Sequence, residues 1–279
     1  MIDTVDVHTV DVYTINVNYR NNYSTWDAMT LPILAYTEDS LPQSTQANRF
    51  AATQQHNLAL EVANRGDFSL EPYQTAGMPI TTMQAYLMHE FHPLHPDADH
   101  RRQAVQHVES TLELAARLDA PRILTVCGFG HELADSPFER ALDFFDQLAN
   151  DAKQRGIEIL IEPLSPKRAG ALTYPNDVVR LLKTLDQPQV FALALDTGHL
   201  LDSGFELDQF FRHWNFPIRE LQLKGKGSFP PDSTLPLAQW LQSLPQLPDV
   251  LCVEHRQPVS MEKFEQIVAW LHHSIEVLL

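Results

Sequence analysis

Cysteine is nearly absent from this 279-residue chain, which has two, Cys127 and Cys252. Both sit in apolar, strand-like runs, so buried free thiols in a reducing compartment are expected rather than a disulfide framework. The expected localisation is therefore cytoplasmic. Long hydrophobic runs are missing as well: no stretch approaches the roughly 18–20 apolar residues needed to span a bilayer. Residues 1–10 lack a basic segment followed by an apolar one, which argues against a secretory signal. Positive charge is scarce. Lys and Arg number 20 against 36 Asp and Glu, a formal charge of −16. No basic run interrupts it, so a nucleic-acid partner is not expected. No Gly-x-Gly-x-x-Gly follows a strand-like run, which counts against an open dinucleotide-binding sheet. The sequence has no low-complexity tract and no internal repeat beyond an alternation of strands and helices.

What is present suits one large α/β domain. Hydrophobic residues make up 44% and charged residues 20% of the chain, the balance of a globular protein with ample core. From Leu31 onward, apolar runs read as strands over 31–36, 58–63, 80–88, 122–127, 158–162, 190–196, 218–224 and 250–254. Between them, helical spacing is expected over 44–55, 98–118, 136–155, 175–185, 206–214, 235–244 and 260–279. In the second of these, Val105, Val108, Leu112, Ala115 and Leu118 recur on one side. Ser136 is the expected cap of the third helix, with Pro137 in its first turn and Gly156 at its end. Eight strands alternating with helices predict a (β/α)8 TIM barrel over 31–279. Residues 1–30 fall outside it. They alternate like strands from Val5 to Asn18, which predicts an N-terminal hairpin or arm, covering a barrel end or pairing with a second copy in a homo-oligomer.

Three of the strands end on a carboxylate: Glu158-Ile-Leu-Ile-Glu162, Phe191-Ala-Leu-Ala-Leu-Asp196 and Val250-Leu-Cys-Val-Glu254. Charge is costly to bury without a partner. In a parallel barrel all three ends face one mouth, where barrel enzymes do their chemistry. Converging carboxylates there point to a shared cation.

These residues resemble the xylose isomerase-like barrels, a family that includes sugar isomerases, epimerases, some dehydratases and DNA repair endonucleases. The matching pieces are Glu162, Asp196-Thr-Gly-His199, Gln222-Leu-Lys224-Gly225 and Glu254, with the segment 115–128 resembling the family's helix into its fourth strand. The resemblance implies one divalent ion, Mn²⁺, Mg²⁺, Co²⁺ or Zn²⁺, on Glu162, Asp196, Gln222 and Glu254. It implies proton transfer by Glu162 and Glu254 through an enediolate of a small sugar or related polyhydroxy carbonyl compound. His199 and Lys224 are expected to contact that small-molecule substrate. The chain departs from the pattern at two positions: Gln222 replaces a histidine ligand, and Gly225 replaces an acidic residue. A neutral amide is a poorer ligand than imidazole for a transition metal, so the ion is expected to be weakly held.

Other residues carry two readings each. Lys224 either binds a substrate oxygen or pairs with Glu254 or Asp196. Arg256 is expected at the mouth, and His255, one residue earlier, on the opposite side of the strand. His95 belongs to a histidine-rich segment with His89, His92 and His100, and either touches substrate or lies in a surface loop. Glu61 is expected to form an ion pair with an arginine rather than to act in catalysis. His131 either reaches the mouth or lies on the surface. Trp26, Tyr36 and Tyr86 are either a wall for a sugar's C–H face or core packing, with packing preferred. The stripe Phe205, Phe210, Phe211, Trp214 and Phe216 reads as helix packing. A dehydratase of the same architecture, and a non-catalytic barrel that binds a metabolite or a protein partner, stand as alternatives. A repair endonuclease is disfavoured by the charge and by a segment 224–232 that lacks an Asp-x-His pair.

Overall fold

The computed structural model describes residues 31–126, 135–168 and 170–279. Residues 1–30, and with them Trp26 and the predicted arm, lie outside these, as do Cys127 and His131. Eight parallel strands close on themselves in sequence order. They are β1 (Ile33–Thr37), β2 (Ala59–Asn64), β3 (Ile80–Ala85), β4 (Arg122–Val126), β5 (Glu158–Glu162), β6 (Phe191–Asp196), β7 (Glu220–Leu223) and β8 (Val250–Val253). Parallel neighbours need crossover segments. These are α1 (Gln46–Gln55), α2 (Glu71–Ala76), α3 (Ala98–Arg117), α4 (Pro137–Arg155), α5 (Pro175–Leu185), α6 (Thr197–Asp202), α7 (Leu207–His213), α8 (Leu237–Ser243) and α9 (Met261–Glu276). The barrel predicted from the strand spacing is therefore present.

Differences lie at the ends of elements. The third strand stops at Ala85, and residues 86–89 turn into a 3-10 helix. Two short helices, α2 and α6, lie where none is expected, because six residues carry too little periodicity to be read. Ser136 does not cap α4: its backbone is left-handed (φ 56°) and its side chain makes no capping bond. Gly156 does end that helix, with φ 67° and its N–H on the carbonyls of Ala152 and Lys153.

Strand alternation sorts the core. Leu34 and Tyr36 of β1, or Leu221 and Leu223 of β7, point outward into the main apolar layer beneath the helices. Inward-facing positions carry smaller apolar clusters and the polar residues of the site. Ala35, Ala59, Val250 and Cys252 pack together within the barrel, as do Leu124, Leu160 and Ala194. Tyr36 is buried against Phe264, and the stripe from Phe205 to Phe216 packs as expected, with Phe210 stacked on Trp214 and Phe211 on Trp240.

The N-terminal ends of the strands carry a closed ring of ion pairs. Arg122 and Arg219 each contact both Glu158 and Asp249, at 2.6–3.5 Å. That end of a barrel serves stability, which leaves the opposite rim for chemistry.

Candidate functional site

Glu162 and Asp196 are the last residues of β5 and β6, and Glu254 follows β8 directly. Glu162 and Asp196 are buried, and Glu254 is half-buried. At their centre stands Lys224, one residue past β7 and 4% exposed. Its Nζ lies 2.9 Å from Asp196 Oδ2 and 3.0 Å from Glu254 Oε2. Of the two readings of Lys224, the ion pair is the one seen. Burial works against its charge, but Asp196, Glu254 and Glu162 more than reverse that and push its pKa upward. The lysine is a charged ammonium at any ordinary pH.

The turn from β6 into α6 is fitted to this lysine. Asp196 caps α6, accepting the His199 N–H on Oδ1 at 2.7 Å, which leaves Oδ2 for the ammonium. The Thr197 hydroxyl donates to the carbonyl of Lys224 and accepts its N–H, both at 2.8 Å. Gly198 clears the stem: a Cβ there would stand 3.0 Å from Lys224 Cγ and Cε and 2.8 Å from the carbonyl of Gly225.

Glu162 is pushed well above the usual carboxylate range by burial, then by Asp196 and Glu254. His199 Nε2 lies 3.7 Å from Glu162 Oε1. Burial, and then Lys224, hold the His199 imidazole down at about 3, so it is neutral.

Gln222 is fully buried, but its amide turns toward the barrel interior and donates to Glu61 Oε1 at 2.8 Å. Gln84 donates to the same oxygen. Glu61 thus meets two amides rather than the expected arginine, and faces Glu220, to which Thr82 donates from the opposite side of the barrel. Burial, then Glu220, raise Glu61 far above the carboxylate range. Glu220 is absent from the sequence-based candidates, although alternation from Gln222 and Lys224 puts residue 220 on the same inward face. That was the available signal.

An open cleft of about 330 Å³ lies beside this centre, lined by Glu61, Gln84, Tyr86, Glu254 and Arg256 among others. Arg65 and Arg256 both stand over the Tyr86 ring, at 3.9 and 5.7 Å. Glu254 is the residue common to cleft and lysine. His255 lies edge-on to Tyr36. His95 stacks on His100 in the first turn of α3.

The donor set can be tested for a metal. Ligands each about 2.1 Å from a Zn²⁺ or Mg²⁺ ion lie no more than about 4.2 Å apart. Among the described residues, one group of three His, Cys, Asp or Glu side chains brings its ligand atoms within 4.8 Å of one another: Glu61, Glu220 and Cys252. Glu162, Asp196 and Glu254 do not form such a group, two of them hold an ammonium, and Gln222 is turned away. The rim as it stands does not fit a divalent ion.

The chain belongs to the xylose isomerase-like TIM barrel family, whose model matches residues 69–271. No curated protein sequence matches it. Solved structures share the fold at low identity. A family 2 AP endonuclease from Brucella melitensis superposes with TM-score 0.68 and 16% identity, over 87% of this chain and 99% of that one. IolI protein with a bound zinc atom gives 0.67 and 14%, over 88% and 99%. An L-ribulose 3-epimerase gives 0.65 and 13%, over 89% and 95%. At such identities the likeness is one of fold, which does not by itself carry function.

Proposed function

We propose that this barrel is an isomerase or epimerase of a small polyhydroxylated carbonyl compound, of the sugar or keto-inositol kind. The observation that carries the reading is the pair Glu162 and Glu254, two carboxylates on separate strands within electrostatic reach of one buried cation. The epimerase among its structural relatives supports the substrate class. In the proposed reaction Glu254, which borders the cleft, takes the proton from the carbon beside the carbonyl. The C–H electron pair forms a C=C bond as the carbonyl π pair moves onto oxygen, giving an enediolate. Glu162 in its acid form returns a proton to the opposite face of that carbon or, with a proton passing between the two oxygens, to the neighbouring carbon. The Mn²⁺, Mg²⁺, Co²⁺ or Zn²⁺ ion implied by the family does not fit the rim, and no step here passes through one.

Proton exchange tests this directly. Ketoses and keto-inositols incubated with the protein in D₂O should gain deuterium at the carbon next to the carbonyl, read by NMR. Glu254→Gln and Glu162→Gln should each lower that rate about 10²–10⁴-fold while keeping the native circular dichroism. Exchange that survives in both variants would reject the assigned pair.

A further inference from the structure

We propose that the ammonium of Lys224 is the permanent cation of this site, standing among Glu162, Asp196 and Glu254 where the family likeness calls for a divalent ion. Three independent features converge on it. The first is position: Nζ is within 3.0 Å of two rim carboxylates. The second is the construction of the neighbouring turn. Thr197 holds the lysine's backbone by two hydrogen bonds, and Gly198 lacks the side chain that would strike its stem. The third is the loss of what an ion would need. Gln222 gives its amide N–H to Glu61, away from the rim. At Gly225, a side chain would begin 2.8 Å from the carbonyl of Pro230, so the backbone itself excludes the acidic residue of the family pattern.

The chemistry follows from the donor count. An ammonium has three N–H groups. Two are held by Asp196 and Glu254, and the third is left for a substrate oxygen. When the α-proton leaves to a carboxylate, its electron pair forms the C=C bond, the carbonyl π pair moves onto oxygen, and the third N–H stabilises the new charge. The lysine stays protonated throughout, so it acts as an electrophile and forms no imine. This last role rests on the isomerase reading; the replacement of the ion does not.

Binding of Mn²⁺ to metal-stripped protein, followed by the EPR signal of the free ion, tests the replacement without any substrate. Lys224→Ala removes the ammonium and leaves three carboxylates facing one gap. It should bind one Mn²⁺ that the wild type does not bind. Its melting temperature should fall without metal and recover with Mn²⁺. The double variant Lys224→Ala/Glu162→Gln should lose the gained ion. Equal Mn²⁺ binding by wild type and Lys224→Ala overturns the proposal. So does an ion held by the wild type and released by Glu162→Gln, an arm that stands even where the alanine variant does not fold. An ion released only by Glu220→Gln sits at the deeper group and leaves the rim lysine as proposed. A substrate screen that finds nothing would count against the isomerase reading and leave this one untouched.

Discussion

Lys224 shows how one side chain settles the electrostatics of a site. Three carboxylates at one rim would repel each other strongly in a low-dielectric interior. A single buried ammonium offsets part of that, and burial with the neighbouring acids raises the pKa of Glu162. The lysine's place depends in turn on a residue with no side chain. Gly198→Ala would put a methyl group 3.0 Å from Lys224 Cγ and Cε, with the Gly225 backbone at 2.8 Å on its other side. The nearest atom is a backbone carbonyl, so a shift of the lysine alone does not relieve the contact and the turn itself has to move. Such overpacking costs about 1–3 kcal/mol, so a lower melting temperature and slower deuterium exchange are expected together. A Gly198→Ala protein that melts and exchanges like the wild type would mean that the close approach is not real.

At the scale of elements, helix α3 joins the barrel through a titratable group. His107 is buried, and its Nε2 accepts the Leu87 N–H, which requires the neutral ring. Burial lowers its pKa from the ordinary 6.5 to about 4. A histidine depressed in this way stabilises the fold fully above the unfolded value of 6.5. As pH falls from there toward about 4 the unfolded chain takes up the proton first, and that contribution is lost. His107→Gln keeps an acceptor for Leu87 without the titration. Urea midpoints at pH 7, 5.5 and 4 should therefore fall more steeply for the wild type than for the variant. Parallel curves would show that His107 is protonated equally in both states.

On the scale of the whole molecule, the barrel divides its labour between its two ends. The N-terminal ends carry a balanced ring of two arginines and two acids, and the C-terminal rim carries an excess of acid around one lysine. The chain's overall charge of −16 extends that bias. A net charge of that sign disfavours a phosphate backbone as partner, and the AP endonuclease shares the fold alone. Abasic duplex DNA should remain uncut by this protein on a sequencing gel, with or without added Zn²⁺. Cleavage that disappears in Glu162→Gln would overturn the small-molecule reading.

The eight strands and their order were legible in the sequence because both rest on local periodicity and on the spacing of turns. So were the rim carboxylates, since a charge that closes an apolar strand stands out. Tertiary structure alone decided what those carboxylates hold. The ends of Lys224, Asp196 and Glu254 meet across strands that lie far apart along the chain. Whether an ammonium or an empty gap lies between them depends on side-chain direction, which alternation limits to inward or outward and no further. Glu61 and Gln222 make the same point. Both were visible as inward-facing polar residues, but the bond between the two, 161 positions apart, was not. Local pattern specifies which face a residue occupies. The partner it finds there is set by closure of the barrel, which brings β2, β3 and β7 together through a shared interior.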